Sequence, residues 1–434
     1  MKHGNKKLLP LICALAAMLS MLTLTACGSA GANTAAILPA AQNASDGSAV
    51  SAVSLAASSD TDSVTEDAFS SADLSGEYDG NGAVTIDLGE AEGSDVVISE
   101  AGTYIISGVL SNGSVIVDAS GEDKIQLVLN GAEISSDTYA AIYVKQADKV
   151  FITLAEGTQN SLANGGTFVQ TDDNNVDGTI FSKDDLTING SGTLTITSPA
   201  EHGIVCKDEL VITGGVINIT AGAHAIQAKD SIAVSDGSIN IRAGKDGLHA
   251  ENDEDDSLGT VLITGGSITI DAGDDAIHAV SLLRIDGGSF NITAAEGLEA
   301  TYVLINDGEI TISASDDGVN AAAKSAAYAP TVEINGGSLN ITMGAGDTDA
   351  IDSNGGLIIT GGTIDMTGSG FDFDGAVSFT GGTVILNGRQ LSEISNSMQG
   401  GMGGFGGGQS FGGMGGFGGG HSFGGGHSFG GGRP

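Results

Sequence analysis

The chain has 434 residues, 70 of them Gly and none Trp, with 40% apolar and only 16% charged residues and a formal net charge of −39. The length is enough for a large core, but sparse helix formers and abundant Ile, Val, Thr, Asn, Asp and Gly exclude a helical bundle or an ordinary α/β enzyme and predict an all-β fold. The acidic excess excludes nucleic acid as a partner and leaves cations as natural small ligands.

The amino terminus predicts export. Lys2, Lys6 and Lys7 form a basic start, Leu8 to Leu24 an apolar stretch, and Leu24-Thr25-Ala26-Cys27 resembles a bacterial lipobox. Residues 1–26 are expected to be a lipoprotein signal peptide and Cys27 the lipidated first residue, anchoring the protein in the cell membrane and displaying it at the cell surface. A transmembrane helix fits less well, because the apolar run is short, contains Pro10 and Ser20, and ends at small residues before a polar segment. One acyl chain anchors only marginally, so several on Cys27 are expected. Losing Lys2, Lys6 and Lys7 and no acids takes the net charge from −39 to −42. Cys13 leaves with the signal, and Cys206, beside Val205, is expected to be a small core residue. Residues 27–80, rich in Ala, Ser and Asp, predict a flexible linker.

Strands are expected at Val84 to Leu88, Val96 to Ser99 and Lys124 to Leu129, and from about 178 to 388 the sequence repeats. Segments such as LITGGSITIDAGDDAIHAVSL, LRIDGGSFNITAAEGLEATYV and LINDGEITISASDDGVNAAAK share a period of about twenty residues. Each offers three strand-like pieces with alternating apolar residues, split by two turns. Gly265-Gly266, Gly287-Gly288, Gly336-Gly337 and Gly361-Gly362 permit the positive φ of sharp corners. This pattern predicts a right-handed single-stranded parallel β-helix over 83–390, whose coils cannot fold singly.

Repetition turns a coil position into a surface column. Before the third strand the positions run His202, His224, Asp246, Asp275, Glu296, Asp317 and Asp349, with Asp274 and Asp316 one residue earlier in their coils. Three positions further on come Val205, Gln227, His249, His278, Glu299, Asn320 and Asp352. Stacked carboxylates repel unless a cation lies between them. Oxygen-only clusters with no Cys and few His favour Ca²⁺ over Zn²⁺, so Asp246, Asp274, Asp275, Glu296, Glu299, Asp316, Asp317, Asp347, Asp349 and Asp352 are candidate ligands. Solvation of turns is the alternative fate of these acids. His249, His278 and Asn320 are candidate ligand contacts, and a hydrogen-bonded His249–His278 stack is favoured over catalysis. Lys145, Lys183, Lys207 and Lys229 are expected to balance the neighbouring Asp184, Asp185, Asp208 and Asp230. The insert Glu251 to Asp256 adds an acidic loop.

Residues 127–162 (LVLNGAEISSDTYAAIYVKQADKVFITLAEGTQNSL) and 177–215 (DGTIFSKDDLTINGSGTLTITSPAEHGIVCKDELVITGG), together with the ITGGxIxI and DAIHA-like units, are similar to bacterial cell-surface lipoproteins with a carbohydrate-binding, pectate-lyase-like parallel β-helix. The resemblance implies binding of cellulose-like and polygalacturonate-like polysaccharide with Ca²⁺ in the fold, and no catalytic role. Lack of Trp and scattered Tyr argue for an acidic pectin-type chain over flat crystalline glucan. A Ca²⁺-dependent lyase, using an Arg or Lys base, and a structural surface protein without a sugar ligand are the alternatives. Arg242 and Arg284 stand in no cationic cluster, which argues against the lyase. Residues 400–434, Gly-rich with Phe405, Phe411, Phe417, Phe423 and Phe429 at six-residue intervals, predict a disordered tail.

Overall fold

The computed structural model describes residues 68–91, 93–346 and 348–396. The expected signal peptide, Cys27, most of the linker, Asp347 and the Gly-rich tail lie outside these residues.

Alternating apolar residues form the strands. In Ser289–Ala294, Phe290, Ile292 and Ala294 are buried, while Ser289, Asn291 and Thr293 face solvent. Such strands pair in parallel and in register from one coil to the next, stacking Ile239, Ile268, Phe290, Ile310 and Leu339 in one row. Ile241, Ile270, Ile292, Ile312 and Ile341 form a second row. Burying each such side chain stabilises the stack by roughly 1.5–3 kcal/mol relative to exposure.

Three strands recur per coil. Thr260–Ile263, Ser267–Ala272 and Asp275–Ala279 are followed by Leu282–Ile285, Ser289–Ala294 and Glu296–Ala300. The first two of each trio join a 24-stranded sheet and the third joins a 12-stranded sheet. In the smaller sheet Leu248, Ile277, Leu298, Val319 and Ile351 stack in parallel register. A continuous apolar cluster drawn from both sheets runs from Leu88 to Ile394. The first strand is Val84–Asp87 and the last Arg389–Gln390, which closes antiparallel on Thr383–Leu386. Among the described residues the one helical turn is the 3-10 segment Leu88–Ala91. Cys206 lies in the core, where burial pushes its thiol pKa up.

The paired glycines divide two tasks. Only the second of each pair has positive φ, at +91° for Gly266 and +78° for Gly362. The first is small because of its neighbour in the stack: a Cβ on Gly361 would lie 2.1 Å from the Asn335 carbonyl oxygen. At the next corner Gly244 has the same role against Gly222.

The expected linker ends earlier than residue 80. Asp73 is only 2% exposed, accepts a hydrogen bond from Thr187 Oγ1 at 2.6 Å and pairs with Lys149 Nζ at 2.9 Å. A carboxylate with these partners docks its segment on the larger sheet, which composition alone did not reveal. Ala68 and the insert residue Leu258 likewise come against the outward Val211, Ala233 and Leu262.

Gly244→Ala should lower the melting temperature clearly, because its Cβ would meet the Gly222 carbonyl oxygen at 2.1 Å, an overpacking that costs about 1–3 kcal/mol. Gly80→Ala, with nothing within 4 Å of the added carbon, should leave it nearly unchanged. Equal melting curves for the two variants would contradict this account of the turn.

Candidate functional site

The acidic positions lie where each coil enters the 12-stranded sheet. Register places Val205, Gln227, His249, His278, Glu299, Asn320, Asp352 and Asp372 in one column. The offset from the preceding column is three residues in every coil. Between the columns Gly247, Gly297 and Gly318 turn inward, where a Cβ would strike Ile270, Ile312 and Ile341. Asp246 thus meets His249 side by side, and Asp275 meets His278 in the same way with the buried Ala276 in the glycine's place.

The expected pair of histidines is part of a stack of four imidazoles. Ring centroids of His202 and His224 are 5.1 Å apart, those of His224 and His249 4.3 Å, and those of His249 and His278 4.7 Å. Carboxylates line this stack. Asp246 Oδ2 is 2.6 Å from His249 Nδ1 and 3.1 Å from His224 Nδ1, and Glu251 Oε2 is 3.0 Å from His249 Nε2. His278 Nδ1 lies 2.8 Å from Asp275 Oδ2 and 3.0 Å from Glu299 Oε2. Lys324 Nζ reaches Glu299 Oε1 at 2.9 Å, and Asn320 Nδ2 donates to Glu296 Oε2 at 3.0 Å and to Glu299 Oε1 at 3.3 Å.

These contacts divide the column electrostatically. Burial alone would raise the pKa of Asp246, but hydrogen bonds from His224 and His249 outweigh it and hold the carboxyl below its usual range. Burial likewise disfavours the Glu299 carboxylate, yet His278, Asp275 and Lys324 keep it ionised, while the buried Asp275 beside it is pushed up. Farther along the counter-charges thin out. Burial and neighbouring acids raise Glu296 to about 8, and Asp317 and Asp352 to about 6. Asp349 donates its backbone N–H to Asp317 Oδ1 at 3.0 Å.

Three groups of side chains bring ligand atoms within 4.8 Å of one another: His224, Asp246 and His249; Asp246, Asp275 and His278; and Asp275, Glu296 and Glu299. The expectation of oxygen-only clusters is thus corrected at the His-rich end, where nitrogen and oxygen donors mix. Asp317, Asp349 and Asp352 continue the oxygen-only end, whereas Asp274 and Asp316 stand exposed at the turn. Sequence reasoning missed Glu251 as a histidine partner and missed Lys324 altogether. Of the expected lysine partners, Asp208 and Asp230 act on Lys229 only through their charge, while the direct ion pairs are Lys145 with Asp118 and Lys229 with Glu254.

Burial on its own would lower the pKa of His278, but its hydrogen bonds to Asp275 and Glu299 raise it from 6.5 to about 9. In the metal-free protein its stabilising effect should be complete below about pH 6.5 and fade as pH rises through about 9. The melting-temperature gap between the parent and His278→Gln should therefore be wide at pH 6 and narrow at pH 9.5. A gap that widens with pH would contradict the assigned protonation.

Comparison with known proteins follows the same boundaries. A protein described as a carbohydrate-binding domain-containing protein from Acetivibrio thermocellus is 39% identical over 129 residues, 29% of this chain and 45% of that protein. The chain thus matches less than half of that relative's length. A solved structure of the polysaccharide lyase-like protein from C. thermocellum, in a gadolinium derivative, is 36% identical, with a TM-score of 0.47 over 50% of this chain and 87% of that one. A family profile matches residues 92–347 and 296–382, spanning the coils and the whole ionisable column. By that match the chain belongs to the family of carbohydrate-binding domain-containing proteins.

Proposed function

We propose that this protein is an exported, lipid-anchored surface protein that captures acidic, polygalacturonate-type polysaccharide through Ca²⁺ on a right-handed parallel β-helix. The observation that carries the reading is a pair of adjacent acidic rows, Asp275 paired with Glu296 and Asp317 with Asp349 in one and Asp352 with Asp372 in the other. Strand neighbours lie about 4.8 Å apart, so like charges stack within each row. Raised pKa values at Glu296, Asp317 and Asp352 mark carboxyls short of counter-charge. Ca²⁺ takes six to eight oxygens, more than such a row supplies to one ion. Uronate carboxylates and water would complete the shell, so the same ion would bridge protein and sugar. Membership of the carbohydrate-binding family supports the polysaccharide part of this reading.

Binding without turnover fits the cations better than lysis does. Arg242, Arg284 and Arg389 belong to strands of the larger sheet. A lyase needs an unencumbered base beside the uronate, and Lys324, which reaches the acidic part of the column, is engaged by Glu299.

Purified protein should be retained on polygalacturonate in millimolar Ca²⁺ and released by excess chelator. Combining Glu296→Gln, Asp317→Asn and Asp352→Asn should weaken retention at least tenfold while leaving the melting temperature intact or higher, since three poorly compensated acids are removed. Retention unchanged by chelator would remove the Ca²⁺ bridge. Steady growth of ultraviolet absorbance from unsaturated uronate would replace binding by lysis.

A further inference from the structure

The His-rich end of the column has a donor set that Ca²⁺ does not favour. We infer that His224, Asp246 and His249 form a separate binding site for a borderline transition-metal ion of the Zn²⁺ class. The three residues offer ligand atoms mutually within 4.8 Å, and Asp246 Oδ2 lies 3.1 Å from His224 Nδ1 and 2.6 Å from His249 Nδ1. Two imidazoles and one carboxylate are a set that Zn²⁺ binds with a further position left for water. An ion bonded at about 2.0–2.1 Å to each would hold the three atoms roughly 3.3–3.5 Å apart. The present separations of 2.6 and 3.1 Å from Asp246 Oδ2 require only small side-chain rotations to admit it.

Two further features suit a cation site. His224 Nδ1 and His249 Nδ1 both point at Asp246 Oδ2, at 3.1 and 2.6 Å, so the protons that bridge these contacts in the metal-free protein are the ones a divalent ion would displace. The surrounding contacts also orient each ligand from behind. Glu251 Oε2, 3.0 Å from His249 Nε2, would hold the ring proton on that side once Nδ1 binds a metal. Asp246 Oδ1 accepts the Asp275 backbone N–H at 3.1 Å, aiming Oδ2 at the histidines. Such outer partners are a regular part of metal sites that bind through histidine. His224 is also held in plane by stacking on His202, with an interplanar angle of 3°.

The site is nearly enclosed, with side chains 12% exposed at His224, 4% at Asp246 and 10% at His249. It lies several coils from Asp317, Asp349 and Asp352. Its occupancy should not depend on Ca²⁺ or on sugar.

The test is Zn²⁺ retained by the full-length chain after dialysis into metal-free buffer, measured by elemental mass spectrometry. The parent should keep a single equivalent, and its melting temperature should rise on adding Zn²⁺. His224→Asn should abolish retention. Glu251→Gln, a change at a half-exposed side chain that touches no ligand atom of the ion, should weaken Zn²⁺ binding by about 10–100-fold; it decides the matter if His224→Asn shows altered circular dichroism. A parent that loses all zinc on dialysis, or variants that hold zinc as tightly as the parent, would overturn the site. Capture of polygalacturonate by His224→Asn in Ca²⁺ is followed alongside and should match the parent. Failure of the parent itself to capture the polymer counts against the polysaccharide reading and leaves the zinc site standing.

Discussion

Parallel, in-register stacking of one coil on the next is the constraint from which the other features follow. It puts the same sequence position of every coil in one row, whether the side chain is apolar or charged. Inside, that yields the isoleucine rows of the core, where like stacked on like is favourable because each side chain fills the same space as its neighbour. Outside, the same rule stacks carboxylate on carboxylate, where likeness is unfavourable. Backbone approach is equally constrained, so glycine recurs where a carbonyl of the adjacent coil leaves no room for a Cβ, as at Gly244 and Gly361.

The column meets its charge problem in two ways. At one end the chain supplies its own counter-charges: His278 between Asp275 and Glu299, with Lys324 closing on Glu299. At the other end Glu296, Asp317 and Asp352 have no such cation at hydrogen-bonding distance among the described residues and hold protons more tightly. An acidic ladder with internal cations is a stable surface. One without them is a surface that gains from an external ion.

Much of this was legible in the sequence. The period, the alternation of apolar residues and the glycine turns predicted stacked parallel strands, and alignment on the glycines placed Asp275, Glu296, Asp317 and Asp349 in a common row. Two things were not legible, each because it depends on contact rather than on period. Lys324 ends one repeat segment, in a stretch between Ala321 and Thr331 that the preceding coil lacks, so no column could be read for it. Asp73 looked like linker composition, yet its burial rests on Lys149 and Thr187, far away in the chain.

The change of donor type along the column follows from two substitutions in a repeated frame. Where one coil has Asp246 and His249, the later ones have Glu296 and Glu299, then Asp317 and Asn320, then Asp349 and Asp352. The backbone is the same in each, so the scaffold does not select an ion; the side chains do. Imidazole beside carboxylate suits a borderline metal, and carboxylate beside carboxylate suits a hard one. Because neighbouring coils share a strand spacing but not a ligand set, one surface can hold two kinds of cation without a second fold or a dedicated loop. Under the proposed capture of uronate, the oxygen-rich end is the one that would meet the sugar: His224, Asp246 and His249 are nearly enclosed, whereas Asp317, Asp349 and Asp352 are half-buried and would leave coordination positions open.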